Sequence, residues 1–383
     1  MRNKFILSLC ILILVVMFSA SSFAAEEILF AIVSSMTGDT AAEGIQTQNA
    51  VDLALSEING SGGVNGKELK YIVGDDMGNP PQGLILAQKF STNDDILFWL
   101  GPNSSSCCIA ALPVLQKVGL PLISPCSSNP TMTHMGFNNF FRLIVNDDML
   151  IDQLAKLAVI ELGYKNIALI WENSDYGIGM RDVALRAIPE LGGKVLFSET
   201  FVPNVDRDFS SQITKFKGGE VDCVLVLGIY TAGALFLKQS EALGFNAEII
   251  GSSGCSNPKL ISIAGEASED FIAIATFDPN DKRPKQAKFI EDYANFFKGE
   301  AGVLGVGEWG AHAYDVVYLV KKAIEMGGTT REKLIEVLHS PDFEYDGVTG
   351  LNKFDEFGET SGKRTLFLTV KDGKFVAFFP TKF

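Results

Sequence analysis

Short apolar runs alternate with longer stretches whose apolar positions recur every three to four residues, from Glu27 almost to the C-terminus. The runs at 28–33, 68–73, 96–100 and 120–123 read as strands, and residues 45–58, 83–90 and 106–118 carry helical spacing. Strands separated by helices of about 10–15 residues predict parallel βαβ units rather than a sandwich. The rhythm restarts at Asn146. Helices are predicted over 148–162, 176–191, 209–216 and 232–244, and strands over 167–171, 195–200, 223–227, 248–250 and 271–275. Helices over 284–297, 308–326 and 331–338 follow, and alternation from Thr365 to Phe379, broken at Asp372-Gly373, predicts an antiparallel hairpin. No low-complexity linker divides the two series. The pattern therefore predicts an α/β protein of two lobes joined by several short crossovers, a geometry that hinges around a cleft.

Residues 1–24 depart from this pattern. Arg2 and Lys4 precede a nearly unbroken apolar stretch over 5–18, and Ser22-Phe23-Ala24 places small residues where a signal peptidase reads them. Cleavage before Ala25 and export are the expectation. The stretch is short for a membrane span, and Leu9 before Cys10 argues against lipidation. The remaining chain of about 359 residues exceeds the size at which one core stops growing, in keeping with two lobes. Its net charge, −14 before Arg2 and Lys4 are lost, excludes a nucleic-acid partner, which would need a basic face. Of six cysteines, Cys107, Cys108, Cys126, Cys223 and Cys255 would survive export; none is in a CxxC spacing, so neither zinc nor a redox pair is indicated, and one disulfide is allowed. With three histidines in the chain, no metal or other cofactor is expected.

Candidate chemistry sits in two loops. Gly101-Pro102-Asn103-Ser104-Ser105-Ser106 follows the strand at 96–100 and opens an apolar helix; Ser124-Pro125-Cys126-Ser127-Ser128 follows the strand at 120–123. Hydroxyls and free backbone N–H groups thus meet at the carboxyl ends of neighbouring strands, where open α/β sheets bind their ligands. A helix N-terminus there favours an anion, because its first N–H groups lack partners and carry partial positive charge. A carboxylate suits it.

In its ensemble of motifs the chain resembles the type I periplasmic solute-binding proteins, the leucine/isoleucine/valine-binding family of ABC transporters. The carriers are Met36-Thr37-Gly38, Gly62-Gly63-Val64-Asn65-Gly66, Asp75-Asp76, the two serine loops, Asp175-Tyr176-Gly177-x-Gly179 and Ala313-Tyr314-Asp315, in that order over residues 27–375. The resemblance implies two Rossmann-like lobes with parallel central sheets and a multi-crossover hinge: residues 25–145 with 276–355, and 146–275 with 356–383. It implies a monomeric, periplasmic binding component, not an enzyme, that delivers an amino acid of the branched-chain or aliphatic type to a membrane permease. A non-amino carboxylic acid, or a role as a solute sensor, remains the alternative. By the same resemblance Ser105 and Ser128, with Ser104 close to the first, would hold the ligand's carboxylate, the Cys126 carbonyl would accept from its ammonium, and Tyr176 and Tyr230 would close over it; Ser127, in the same loop, is expected to join the anion site.

One departure matters. Where the family places an acid to pair with the ammonium, this chain has Ser253. Glu43, in the place of an aromatic side-wall residue, or Glu172 near Tyr176, is expected to take over that charge, since an uncompensated buried ammonium is costly. Gly305-Val306-Gly307-Glu308-Trp309-Gly310 matches G-x-G-x-x-G, but a helix rather than a strand precedes it, so no dinucleotide site is expected. No GxSxG, HExxH or P-loop occurs, and nothing assembles a catalytic centre.

Overall fold

The computed structural model describes residues 27–299 and 305–382; the leader and its cleavage site lie outside them. Five strands, β1 (Glu27–Ser34), β2 (Glu68–Asp75), β3 (Ile96–Leu100), β4 (Leu122–Ser124) and β5 (Phe140–Arg142), form a parallel sheet in the order β2-β1-β3-β4-β5. Its connecting helices are α1 (Ala41–Gly60), α2 (Pro80–Ser91) and α3 (Ser105–Lys117). Strand alternation divides the burial between two faces. Phe30 and Ile32 of β1 face a core shared with Val51, Ala54 and Ile58 of α1, while Ala31 and Val33 face Leu86, Ala87, Leu112 and Leu115 of α2 and α3.

The second sheet repeats the winding. Strands β6 (Asn166–Glu172), β7 (Lys194–Phe201), β8 (Cys223–Leu227), β9 (Glu248–Gly251) and β10 (Ile272–Ala275) run parallel in the order β7-β6-β8-β9-β10. Helices α4 (Asp147–Lys156), α5 (Asp175–Glu190), α6 (Ser210–Lys217), α7 (Tyr230–Ala242) and α8 (Pro258–Ala264) accompany them. Ile167 and Leu169 pack on α4 and α5, and Ala168 and Ile170 on the opposite core with Phe216 and Phe236. Three further helices, α9 (Pro284–Phe296), α10 (Glu308–Glu325) and α11 (Arg331–Leu338), return to the first lobe; Ala313, Val316, Val317 and Val320 of α10 close the core over α1. A small antiparallel sheet, β11 (Tyr345–Gly347), β12 (Gly350–Phe354) and β13 (Thr360–Ser361), precedes the hairpin β14 (Leu366–Lys371) and β15 (Lys374–Phe378), which extends the second sheet antiparallel to β10.

The chain crosses between the two sheets at 143–146, 276–283 and 362–365, so both lobes are discontinuous. The helix expected over 148–162 is α only to Lys156 and widens into a π turn at Leu157–Glu161. The strand β5, the helix α8 and the small sheet were not expected. Among the described residues the five cysteines are free and buried, so the allowed disulfide is not made between them. Among the described residues no helix is long and apolar enough to cross a membrane, and no group of His, Cys, Asp or Glu is placed to hold a metal.

Candidate functional site

In sheets wound in this order, ligands bind where neighbouring connections depart to opposite faces, between the first strand and the one that follows the reversal. Here there are two such points, β1/β3 and β6/β8, and their loops face one another across a single cavity of about 300 Å³. That volume has room for roughly ten water-sized groups, the scale of one amino acid.

Gly101 starts the first wall. Its φ is +95° and a Cβ there would stand 2.0 Å from the Val33 carbonyl oxygen, so only glycine lets the chain turn this close to β1. Ser104 then caps α3, accepting from the Cys107 N–H at 3.4 Å. Ser105 Oγ accepts from the Asn129 N–H at 3.3 Å and Ser106 Oγ from the Asp175 N–H at 3.0 Å. Asn103 donates to Ser34 and Thr47, both at 3.0 Å, leaving its own Oδ1 without a partner.

Of the residues singled out from sequence, Glu43, Ser104, Ser105, Cys126, Tyr176 and Ser253 line the cavity. Ser127, Ser128 and Tyr230 do not, and each has a visible reason. Ser127 Oγ donates to the Pro102 and Asn103 carbonyls at 3.0 and 3.1 Å, tying the two loops together. Ser128 Oγ donates to Asp147 at 3.0 Å. The Tyr230 hydroxyl donates to the Asp39 carbonyl at 2.6 Å, joined there by Thr231 at 3.0 Å and by an Arg207–Asp39 ion pair. With Ser106–Asp175 and the Asn129 amide donating to the Asp175 carbonyl, these bonds bridge the lobes and hold the cleft shut.

Besides the exposed Asp175, three buried acids line the cavity from three elements: Glu43 in the first turn of α1, Glu172 at the end of β6 and Glu308 in the first turn of α10. They are 7%, 6% and 3% exposed. Burial pushes Glu172 and Glu308 up to about 7, and pushes Glu43 well above the usual carboxylate range with help from the charges of Glu172, Glu308 and Asp76. Glu308 accepts from the Thr276 N–H at 3.2 Å and its hydroxyl at 3.0 Å, and Glu172 accepts from Ser174. Glu43 Oε1 has no partner, while the Ile229 backbone also serves Glu172. Among the described residues lining the cavity, none is cationic.

Sequence reasoning missed Glu308 and Trp309, along with Ile229; Asn103 and Ser106, in the first serine loop, also line the cavity. The first two lie inside the G-x-G-x-x-G match, whose backbone instead lets α10 begin against α1: a Cβ on Gly310 would stand 3.1 Å from the Gln46 carbonyl. An acid and an indole opening a long amphipathic helix were the available signal.

Two α/β lobes facing one another across a polar cavity have the architecture of a solute-binding protein. The chain belongs to the periplasmic binding protein family, whose model matches residues 27–374. It is 30% identical over 345 residues to the leucine-, isoleucine-, valine-, threonine- and alanine-binding protein of Pseudomonas aeruginosa, covering 89% of each chain. A leucine-binding protein of Thermotoga maritima has a TM-score of 0.84 at 26% identity, over 92% of this chain and 98% of that one. The branched-chain amino acid transporter substrate-binding protein of Streptococcus pneumoniae, solved with isoleucine, has a TM-score of 0.84 at 25% identity, over 92% and 99%. The resemblance read from the motifs is thus upheld.

Proposed function

We propose that this chain is the periplasmic solute-binding component of an ABC importer and that it captures an α-amino acid between its lobes, as its leucine- and isoleucine-binding relatives do. One observation carries the reading. The cavity wall combines N–H groups and hydroxyls at Ser104, Ser105 and Ser106 with carboxylates at Glu43, Glu172 and Glu308. A zwitterion matches both. Ser253 offers no charge, so the carboxylates take the place of the family's acid, and Cys126 lines the same cavity. The crossings at 143–146, 276–283 and 362–365 serve as the hinge. Closure signals occupancy to the permease because the solute binds the closed form better than the open one.

Calorimetry and thermal shift with L-amino acids test this. A binding amino acid at about a hundred times its Kd stabilises by about 2.7 kcal/mol. Glu43→Gln should weaken it about tenfold or more, as expected when a charge-assisted hydrogen bond is lost. An unchanged affinity would remove Glu43 from the ammonium's partners, and stabilisation by aromatic or short-chain acids alone would replace the amino-acid reading. The ion pair at the cleft mouth is exposed on the Arg207 side, so Arg207→Ala should change Kd by less than about fivefold. A larger loss would mean that the mouth, not the cavity, sets affinity.

A further inference from the structure

We propose that the cavity is built for a solute carrying two cationic nitrogen groups, the α-ammonium and a second at the end of an aliphatic stem: a diamino or guanidino acid. The inference rests on the amino-acid reading and departs from the relatives' solutes at the side-chain end only.

Three buried carboxylates share this small space, and the described lining supplies no cation to meet them. The buried lysine behind Cys126, Lys363, is already committed: it donates to Thr349 and faces Asp315. An aliphatic amino acid enters as a zwitterion whose single ammonium can ionise one of these carboxyls and pair with it; the other two stay protonated, as burial already holds them, and gain no partner from the solute. Glu308 is partly satisfied by Thr276. Glu172 is held by Ser174 and by the Ile229 backbone, whereas Glu43 has no hydrogen-bond partner; the two belong to opposite lobes, one at the start of α1 and one at the end of β6. Two nitrogen groups on one stem would meet them one each. Trp309, Ile229 and Pro203 give the methylenes of that stem an apolar wall. A site whose buried polar groups await a donor discriminates strongly against the analogue that lacks it, because the groups are then left unpaired.

The discriminating pair is L-lysine and L-norleucine, which share a stem and differ at its terminal nitrogen. Titration calorimetry at pH 7 on the mature protein should show lysine, ornithine or arginine binding at least about tenfold tighter than norleucine or leucine. Glu43→Gln and Glu172→Gln should each narrow that ratio in protein shown to be folded by circular dichroism. Norleucine or leucine binding as tightly as all three basic acids overturns this proposal and leaves the amino-acid reading standing. Failure of every α-amino acid to bind overturns both. The wild-type comparison needs no variant, so a misfolded mutant cannot mask the answer.

Discussion

Arg142→Met is expected to cost about 3–5 kcal/mol of stability and to weaken solute binding with it. Arg142 ends β5 with its side chain wholly buried, and its guanidinium serves three parts of the chain at once. Nε donates to both Glu359 oxygens at 2.9 Å, and Nη2 also pairs with Glu359. Nη1 donates to the Asn129 carbonyl at 2.7 Å and Nη2 to the Thr133 hydroxyl at 3.3 Å, fixing the loop that carries Cys126. Glu359 in turn accepts from the Asn146 amide at 3.2 Å, at the first crossing between lobes. Removing one partner of such a pair leaves the other buried and uncompensated, which is why the loss exceeds that of a surface bridge. Lysine should not rescue it, because a single ammonium cannot reproduce the fork. Replacing Arg142 and Glu359 together by methionine should recover part of the loss. Urea unfolding midpoints and calorimetric Kd values check this; if both stay unchanged in Arg142→Met, the network carries neither stability nor loop geometry.

The strands and helices were legible where burial imposes a period. β1 shows this best, its Phe30 and Ile32 facing one core and Ala31 and Val33 the other. β5 was not legible: three residues, Phe140 to Arg142, are too few to display alternation, and the segment is a strand because β4 lies beside it. The π turn at Leu157–Glu161 leaves no mark in a helical pattern either. α8 could have been read, since Asn257 caps it and Pro258 opens it. At the site, Ser104 was readable because capping is local chemistry. Ser127 and Ser128 were chosen for the same kind of reason, yet their hydroxyls turn to partners that only the folded chain supplies, the Pro102 carbonyl and Asp147. Glu308 shows the converse, because α10 reaches the cavity from far along the chain by packing against α1. Type of residue is local; direction is tertiary.

The ligand-free protein is expected to melt at a lower temperature at pH 8 than at pH 5.5. Glu172 and Glu308, and Asp147 beneath them, are each pushed up to about 7 chiefly by burial. An unfolded chain releases these protons near pH 4, while the folded protein keeps them toward 7, so stability is complete below the unfolded values and drains as pH rises through about 7. Asp75, Asp208, Asp281 and Glu161 are held low by N–H and O–H donors; they are ionised in both states above about pH 5 and leave this slope alone. His312 opposes it, for burial keeps its ring neutral and it loses stability below about 6.5. These three carboxyls, with Glu43, Asp76 and Asp315 also raised by burial, against one imidazole leave a net loss of at least about 3 kcal/mol from pH 5.5 to 8. A drop of roughly 5 °C in Tm follows. A chain this acidic also gains general repulsion as pH rises, so the assignment rests on two controls. The Glu172→Gln, Glu308→Gln double variant should flatten the slope. A saturating solute should flatten it too, because its ammonium holds the carboxylates ionised at both pH values, and its own Kd should therefore fall as pH rises from 5.5 to 8. Scanning calorimetry with and without solute reads all of this. A ligand-free Tm that climbs between pH 5.5 and 8 would mean that the carboxylates enter the folded cavity already charged, and that something other than the solute compensates them.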